Sequence, residues 1–167
     1  MIEIPITESM KKRAWHKARS MGKLKNSILQ GEGNIAGFLG EEVVNNLIDG
    51  TISNTYDYDI VYKTSSQNIK YDVKTKRCTS PPKSYYECSV AAYNTKQDCD
   101  RYAFVRIEWV KGKWGRAWVL GWLESKEYYS RAKKLCKGDV DPSNGYKVKA
   151  DCYNVAISDL REFRRRK

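Results

Sequence analysis

Histidine is almost missing from this chain: its 167 residues contain one, His16. That leaves no material for a histidine-based serine or cysteine triad, and His16, set in a basic stretch, reads as a solvent or phosphate contact. The five cysteines (Cys78, Cys88, Cys99, Cys136 and Cys152) are odd in number, widely spaced and free of any CxxC pair. Neither a disulfide framework nor a zinc centre fits that spacing, so they are expected as reduced thiols, with Cys78 and Cys88 packing. No uninterrupted apolar run is long enough to cross a bilayer, and the start "MIEIPITESMKKR" lacks the apolar centre of a secretory signal. The expectation is an intracellular, cytoplasmic protein with no membrane partner.

Negative charge is also in short supply. Lys and Arg number 31 against 20 Asp and Glu, a formal net charge of +11, which favours a polyanionic partner such as nucleic acid over a neutral small molecule. The excess gathers at the two ends: residues 1–33 hold seven Lys/Arg against three Glu, and "REFRRRK" (161–167) holds five against one. Hydrophobic residues at 41% and charged residues at 31% are a globular balance. At this length one domain is expected, organised as a basic N-terminal helical extension (1–33), a core (34–123), and a C-terminal helix with a basic tail (124–167).

From Glu8 to about Ile28 the chain has few β-branched residues and reads as a basic helix, broken near Gly22. Either it is a solvated helix docked through Trp15 and Met21, or Lys11, Lys12, Arg13, Lys17 and Arg19 contact nucleic acid. "QGEGN" (30–34) reads as a hinge. A second helix is expected from about Asn34, its cap, to Leu47, ended by Asp49-Gly50. Ile35, Leu39, Val43 and Leu47 form its buried stripe, and small Gly37 and Gly40 would let it approach a sheet.

Strand-like runs follow at 51–54, 56–63 and 69–78, the last two joined by a "TSSQN" turn. "YYECSVAAY" (85–93) suits strand or helix, and "TKQDCD" a short helix or loop. "RYAFVRIEWV" (101–110) and "WGRAWVLGWL" (114–123) read as strands joined at "KGK", with Trp109, Trp118 and Trp122 in the core. "ESKEYYSRAKKLCKG" (124–138) has a capping-type start and a terminal Gly138, so a further helix is expected. This order gives a mixed α/β domain around one sheet.

On the two central strands, Asp57 and Asp59 are expected to share one face, while Asp72, Lys74 and Lys76 alternate along the next strand. A charged face turned to water is the bland explanation. If the strands are neighbours, Asp59 and Asp72 converge and Lys74 reaches the same cleft. Two close carboxylates need a compensating cation, and hard oxygens select Mg²⁺ or Mn²⁺. With a phosphodiester as the remaining ligand, this set has the chemistry of backbone hydrolysis.

In "GFLGEE", "YDYDI" and "YDVKTK", taken in that order, the chain resembles the PD-(D/E)xK nuclease superfamily over about residues 35–110, including its resolvase-like and phage-borne members. The resemblance implies a restriction-endonuclease-like core, a central mixed β-sheet flanked by helices. It implies Asp59 and Asp72 as metal ligands joined by the Val73 carbonyl, Lys74 as the catalytic lysine, and Glu41 as the helical acid, with Glu42 the alternative. Tyr58 stands where the motif's proline would be. Asn94, Gln97 and Asp98 fall where the second core helix of such folds faces the site, and Lys76, Arg164, Arg165 and Arg166 join the basic residues as candidate phosphate contacts.

The expected function is therefore a Mg²⁺-dependent endodeoxyribonuclease, with Mn²⁺ able to substitute. DNA rather than RNA is an expectation from the resemblance, and so is a homodimer, which no residue here demonstrates. The alternatives are a non-catalytic nucleic-acid-binding protein that keeps the fold, and a scaffold with a wet charged strand.

Overall fold

The computed structural model describes residues 1–21, 34–53, 55–142 and 145–164. The "QGEGN" hinge up to its last residue, the break near Gly22, and Arg165 and Arg166 lie outside them. Three α-helices are described: α1 (Glu8–Met21), α2 (Asn34–Ile48) and α3 (Ser125–Arg131). Six strands make the main sheet: β1 (Ile2–Pro5), β2 (Thr51–Ile52), β3 (Ile60–Lys63), β4 (Asn68–Cys78), β6 (Arg101–Val110) and β7 (Lys113–Glu124). Their spatial order is β1-β7-β6-β4-β3-β2. All neighbours are antiparallel except β4 and β6, which run parallel from Tyr71 opposite Arg101 to Cys78 opposite Glu108. A second sheet of three strands holds β5 (Glu87–Ala91), β8 (Lys133–Leu135) and β9 (Cys152–Ala156), with β9 in the middle. The protein is thus α/β with a mixed sheet, and no described helix is long and apolar enough to cross a membrane.

The main sheet is buried on both sides, which explains the near-continuous apolar run of β6. Ala103, Val105 and Ile107 face one core with Leu39, Val43 and Val44 of α2 and with Met10 and Ala14 of α1. Tyr102 and Phe104 face the other, with Trp118, Leu120, Tyr128 of α3, and Cys88, Val90 and Val155 of the small sheet. Helices therefore cover one face, while the other is covered by a sheet together with one short helix. The β6–β7 hairpin closes through Lys111 and Gly112, both at positive φ (48° and 76°), the conformation that a two-residue turn between twisted strands demands.

Several sequence expectations change. The strand at 56–63 begins only at Ile60, so Asp57 and Asp59 sit in the preceding loop and share no strand face. The parallel β4–β6 pair needs a crossover, and this one is built from β5 and the 3₁₀ segment Ala92–Lys96 in place of an α-helix. The helix expected over 124–138 stops at Arg131, because Lys133–Leu135 gains a strand partner in β9 and buries Leu135. Gly138 lies in a later turn at φ 98°. Ile2–Pro5, unassigned from sequence, pairs along β7. Trp15 does not dock on the core but is 46% exposed, whereas Trp118 is buried and Trp109 rests against Trp114 with ring centroids 4.1 Å apart.

The two helix glycines play different parts. A Cβ on Gly40 would lie 1.9 Å from Thr75 Oγ1, whereas one on Gly37 would meet nothing within 4 Å. Gly40 alone lets α2 lie against β4. Gly40→Ala is expected to destabilise the fold by about 1–3 kcal/mol through overpacking, and Gly37→Ala to stabilise it by about 0.5–1 kcal/mol through helix propensity. Denaturant unfolding of both variants checks the pair; equal shifts of one sign would contradict the close contact at Gly40.

Candidate active site

Asp59 is the last residue before β3, and its backbone N–H already bonds the Tyr71 carbonyl of β4 at 2.8 Å. This fixes the loop end, so that Asp59 Oδ2 accepts a hydrogen bond from the Val73 N–H at 2.7 Å. Asp72 leaves β4 on the face opposite Tyr71 and Val73 and is 4% exposed. Lys74 Nζ stands 2.5 Å from Asp72 Oδ2 as an ion pair. Gln97, just after the 3₁₀ segment, completes a triangle: its Nε2 donates to Asp72 Oδ1 and its Oε1 accepts from Lys74 Nζ, both at 3.3 Å. The same Nε2 donates to the Tyr56 carbonyl at 2.7 Å, tying the loop before β3 to the loop before β6.

The fourth side comes from the helices. Glu41 is 6% exposed and accepts from Lys17 Nζ of α1 at 2.6 Å. Glu42, one residue on, pairs with Arg13 at 2.7 Å. Of the two acids left open by the sequence, Glu41 is the one whose charge is felt at Asp59 and Asp72.

Burial, reinforced by the Asp72 and Glu41 charges, pushes the Asp59 carboxyl well above the ordinary carboxylate range, against the pull of the Val73 N–H and Lys74. Burial likewise raises Glu41 despite its bond to Lys17, and Asp72 adds to the rise. For Lys74, burial works against the ammonium, but the facing Asp72 outweighs it and holds the proton above the usual lysine range. Three acids thus share a poorly solvated corner with two lysines. The hard carboxylate oxygens of Asp59 and Asp72 are the donor type that suits Mg²⁺ or Mn²⁺. Among the described residues, however, no group of three or more His, Cys, Asp and Glu side chains is gathered for a metal.

The other candidate residues separate cleanly. Asp57 Oδ1 accepts from the Asp98 N–H at 3.3 Å, and Asp98 pairs outward with Lys70 at 2.8 Å. Asn94 is buried and offers its carbonyl to Tyr102. Val73 contributes its N–H, as described. On α1, Lys11 pairs with Glu8 at 2.7 Å, Lys12 is exposed, and Arg19 lies over the Trp15 ring at 5.2 Å. Lys17 and Arg13 pair with Glu41 and Glu42, and Arg13 stays exposed while doing so. His16 and Arg164 are exposed, and Lys76 donates to Ser89 Oγ at 2.7 Å. The role of Lys17 was missed from sequence, although two cations four residues apart facing two adjacent acids was a usable signal.

A buried acid with a raised pKa holds its proton more tightly when folded, so its contribution favours the fold at low pH. That contribution is lost as pH rises from the ordinary carboxylate range through the raised value. The metal-free protein is therefore expected to lose part of its melting temperature as pH rises above the ordinary carboxylate range, and Asp59→Asn should remove much of that loss. A pH profile identical in the variant would contradict the burial of Asp59 among charges. No protein-family model matches the chain, and no curated protein matches it.

Proposed function

We propose that the protein is a Mg²⁺-dependent endonuclease that hydrolyses phosphodiester bonds in DNA, with a core of the restriction-endonuclease-like type. The observation that carries this reading is the meeting of Asp59 and Asp72 with Lys74 where β3 and β6 begin against the middle of β4, with the Glu41 charge within reach, in a chain of strong positive charge. A helix with the first acid, an antiparallel pair with the next two and the lysine, and a parallel strand beside them is the element order expected of such a core.

Asp59 and Asp72 would hold the cation, with Glu41 at the helical edge; the bound metal supplies a lowered water pKa and a polarised phosphoryl group. Lys74 keeps its proton beside the two aspartates, which suits it to steady charge that develops on a phosphate oxygen. Gln97 orients both Asp72 and Lys74. Lys17 offsets Glu41 from outside the sheet, so the helical acid stays in place without drawing on Lys74. Exposed Lys12, Arg19 and Arg164 are left to meet the DNA backbone. Action within the cell and a twofold dimer belong to the same proposal.

A second reading, a non-catalytic nucleic-acid-binding protein, draws on the ion pairs that already neutralise Asp72 and Glu41. One experiment separates the two: incubation of supercoiled plasmid and a synthetic four-way junction with Mg²⁺ or Mn²⁺. The wild type is expected to cut, and Asp72→Asn and Lys74→Ala to lose about a hundredfold or more of the rate while remaining folded. Binding without cutting in either metal, or cutting that survives both substitutions, would overturn the nuclease reading.

A further inference from the structure

Beyond Lys74 the same face of β4 leads into a second feature. Lys76 lies two residues on, about 7 Å along the strand, at the wall of a cavity of about 800 Å³ between the main sheet and the small one. That volume lies within the range of small-molecule sites. Arg106, directly opposite Lys76 in the parallel register, lines it too. Both cations bond neutral oxygens, Lys76 the Ser89 hydroxyl at 2.7 Å and Arg106 the Glu87 carbonyl at 2.8 Å. Among the described residues neither forms an ion pair.

Glu87 and Asp141 line the cavity as well, and the Glu87 charge reaches Lys76 without an ion pair; the two cations side by side remain a cost that an anion held directly between them would relieve. Burial lowers the Lys76 pKa and the Arg106 charge lowers it further, although its side chain remains accessible within the cavity. Tyr85, 60% exposed, and half-buried Tyr86 also line the cavity and meet edge to face with centroids 5.2 Å apart. Two cations and an exposed tyrosine ring lining one cavity match the two elements of a nucleotide, a phosphate and a stackable base.

We propose that this cavity binds one nucleotide, its phosphate held by Lys76 and Arg106 and its base packed against Tyr85 and Tyr86. Assigning that nucleotide to the strand being cut, one step along from the phosphate at Lys74, rests on the nuclease reading; binding of a free nucleotide does not.

The test is calorimetric titration in EDTA with deoxyadenosine monophosphate, with inorganic phosphate and adenosine as separate probes. The wild type is expected to bind the nucleotide more tightly than either fragment. Lys76→Met and Tyr85→Ala should each weaken binding by about tenfold or more. Tyr85 is exposed enough for its variant to fold. Absence of nucleotide binding by the folded wild type, phosphate binding as tight as the nucleotide, or binding indifferent to both substitutions would each overturn the proposal. Nucleotide binding by a wild type that cuts no DNA would retain the cavity's role and remove only the nuclease reading.

Discussion

Buried like charges govern the organisation of this molecule. Glu41, Asp59 and Asp72 come from a helix, a loop end and a strand; burial together with the Asp72 and Glu41 charges raises the cost of ionising Asp59, and burial with the Asp72 charge that of Glu41. Two lysines from different elements oppose that cost, Lys74 from within the sheet and Lys17 from a helix outside it. Such an arrangement survives only if the supporting scaffold is stiff, since every acid would gain by swinging into water. The Val73 N–H on Asp59 and the Gln97 amide on Asp72 are the fixed donors that prevent it.

The stiffness comes from β4, which is paired on both edges and packed through its apolar face against the helices. Tyr71 and Val73 belong to the helical core, while Tyr102 and Phe104 of its parallel neighbour belong to the aromatic core beneath the small sheet. A strand in that position cannot slip by one residue without exchanging its apolar and charged faces. The alternation of Asp72, Lys74 and Lys76 is thereby locked in direction as well as in spacing.

Much of this was legible in the residues. Periodicity located α2, β4 and β6 because each has a long, unambiguous pattern, and "TSSQN" identified the antiparallel partner of β4. Asp72 and Lys74 could be set together because strand alternation fixes their separation, and the short turn brought Asp59 near them although it stands just before its strand; Glu41 was named through the resemblance alone. The crossover was not legible, because "ECSVA" suits either strand or helix and its partner, "CYNVA", lies more than sixty residues later. The segment after Arg131 misled for the same reason: local helical spacing lost to pairing with a distant strand. Gln97 was placed near the site only by resemblance, and its bridging bonds depend on two loops that local patterns leave unspecified.

The contact between Gly40 and Thr75 bears on how this site can change. Glu41 follows Gly40 directly, and Lys74 directly precedes Thr75, so the helix and strand touch one residue away from the chemistry on each side. Position 40 has no room for even one methyl group while Thr75 keeps its hydroxyl where it is. The two positions therefore draw on one fixed allotment of volume, and an added atom on one must be matched by a removed atom on the other. The gap between the helical acid and the sheet acids is a mechanical dimension of the backbone, and sequence drift can retune the side chains around it without altering its width.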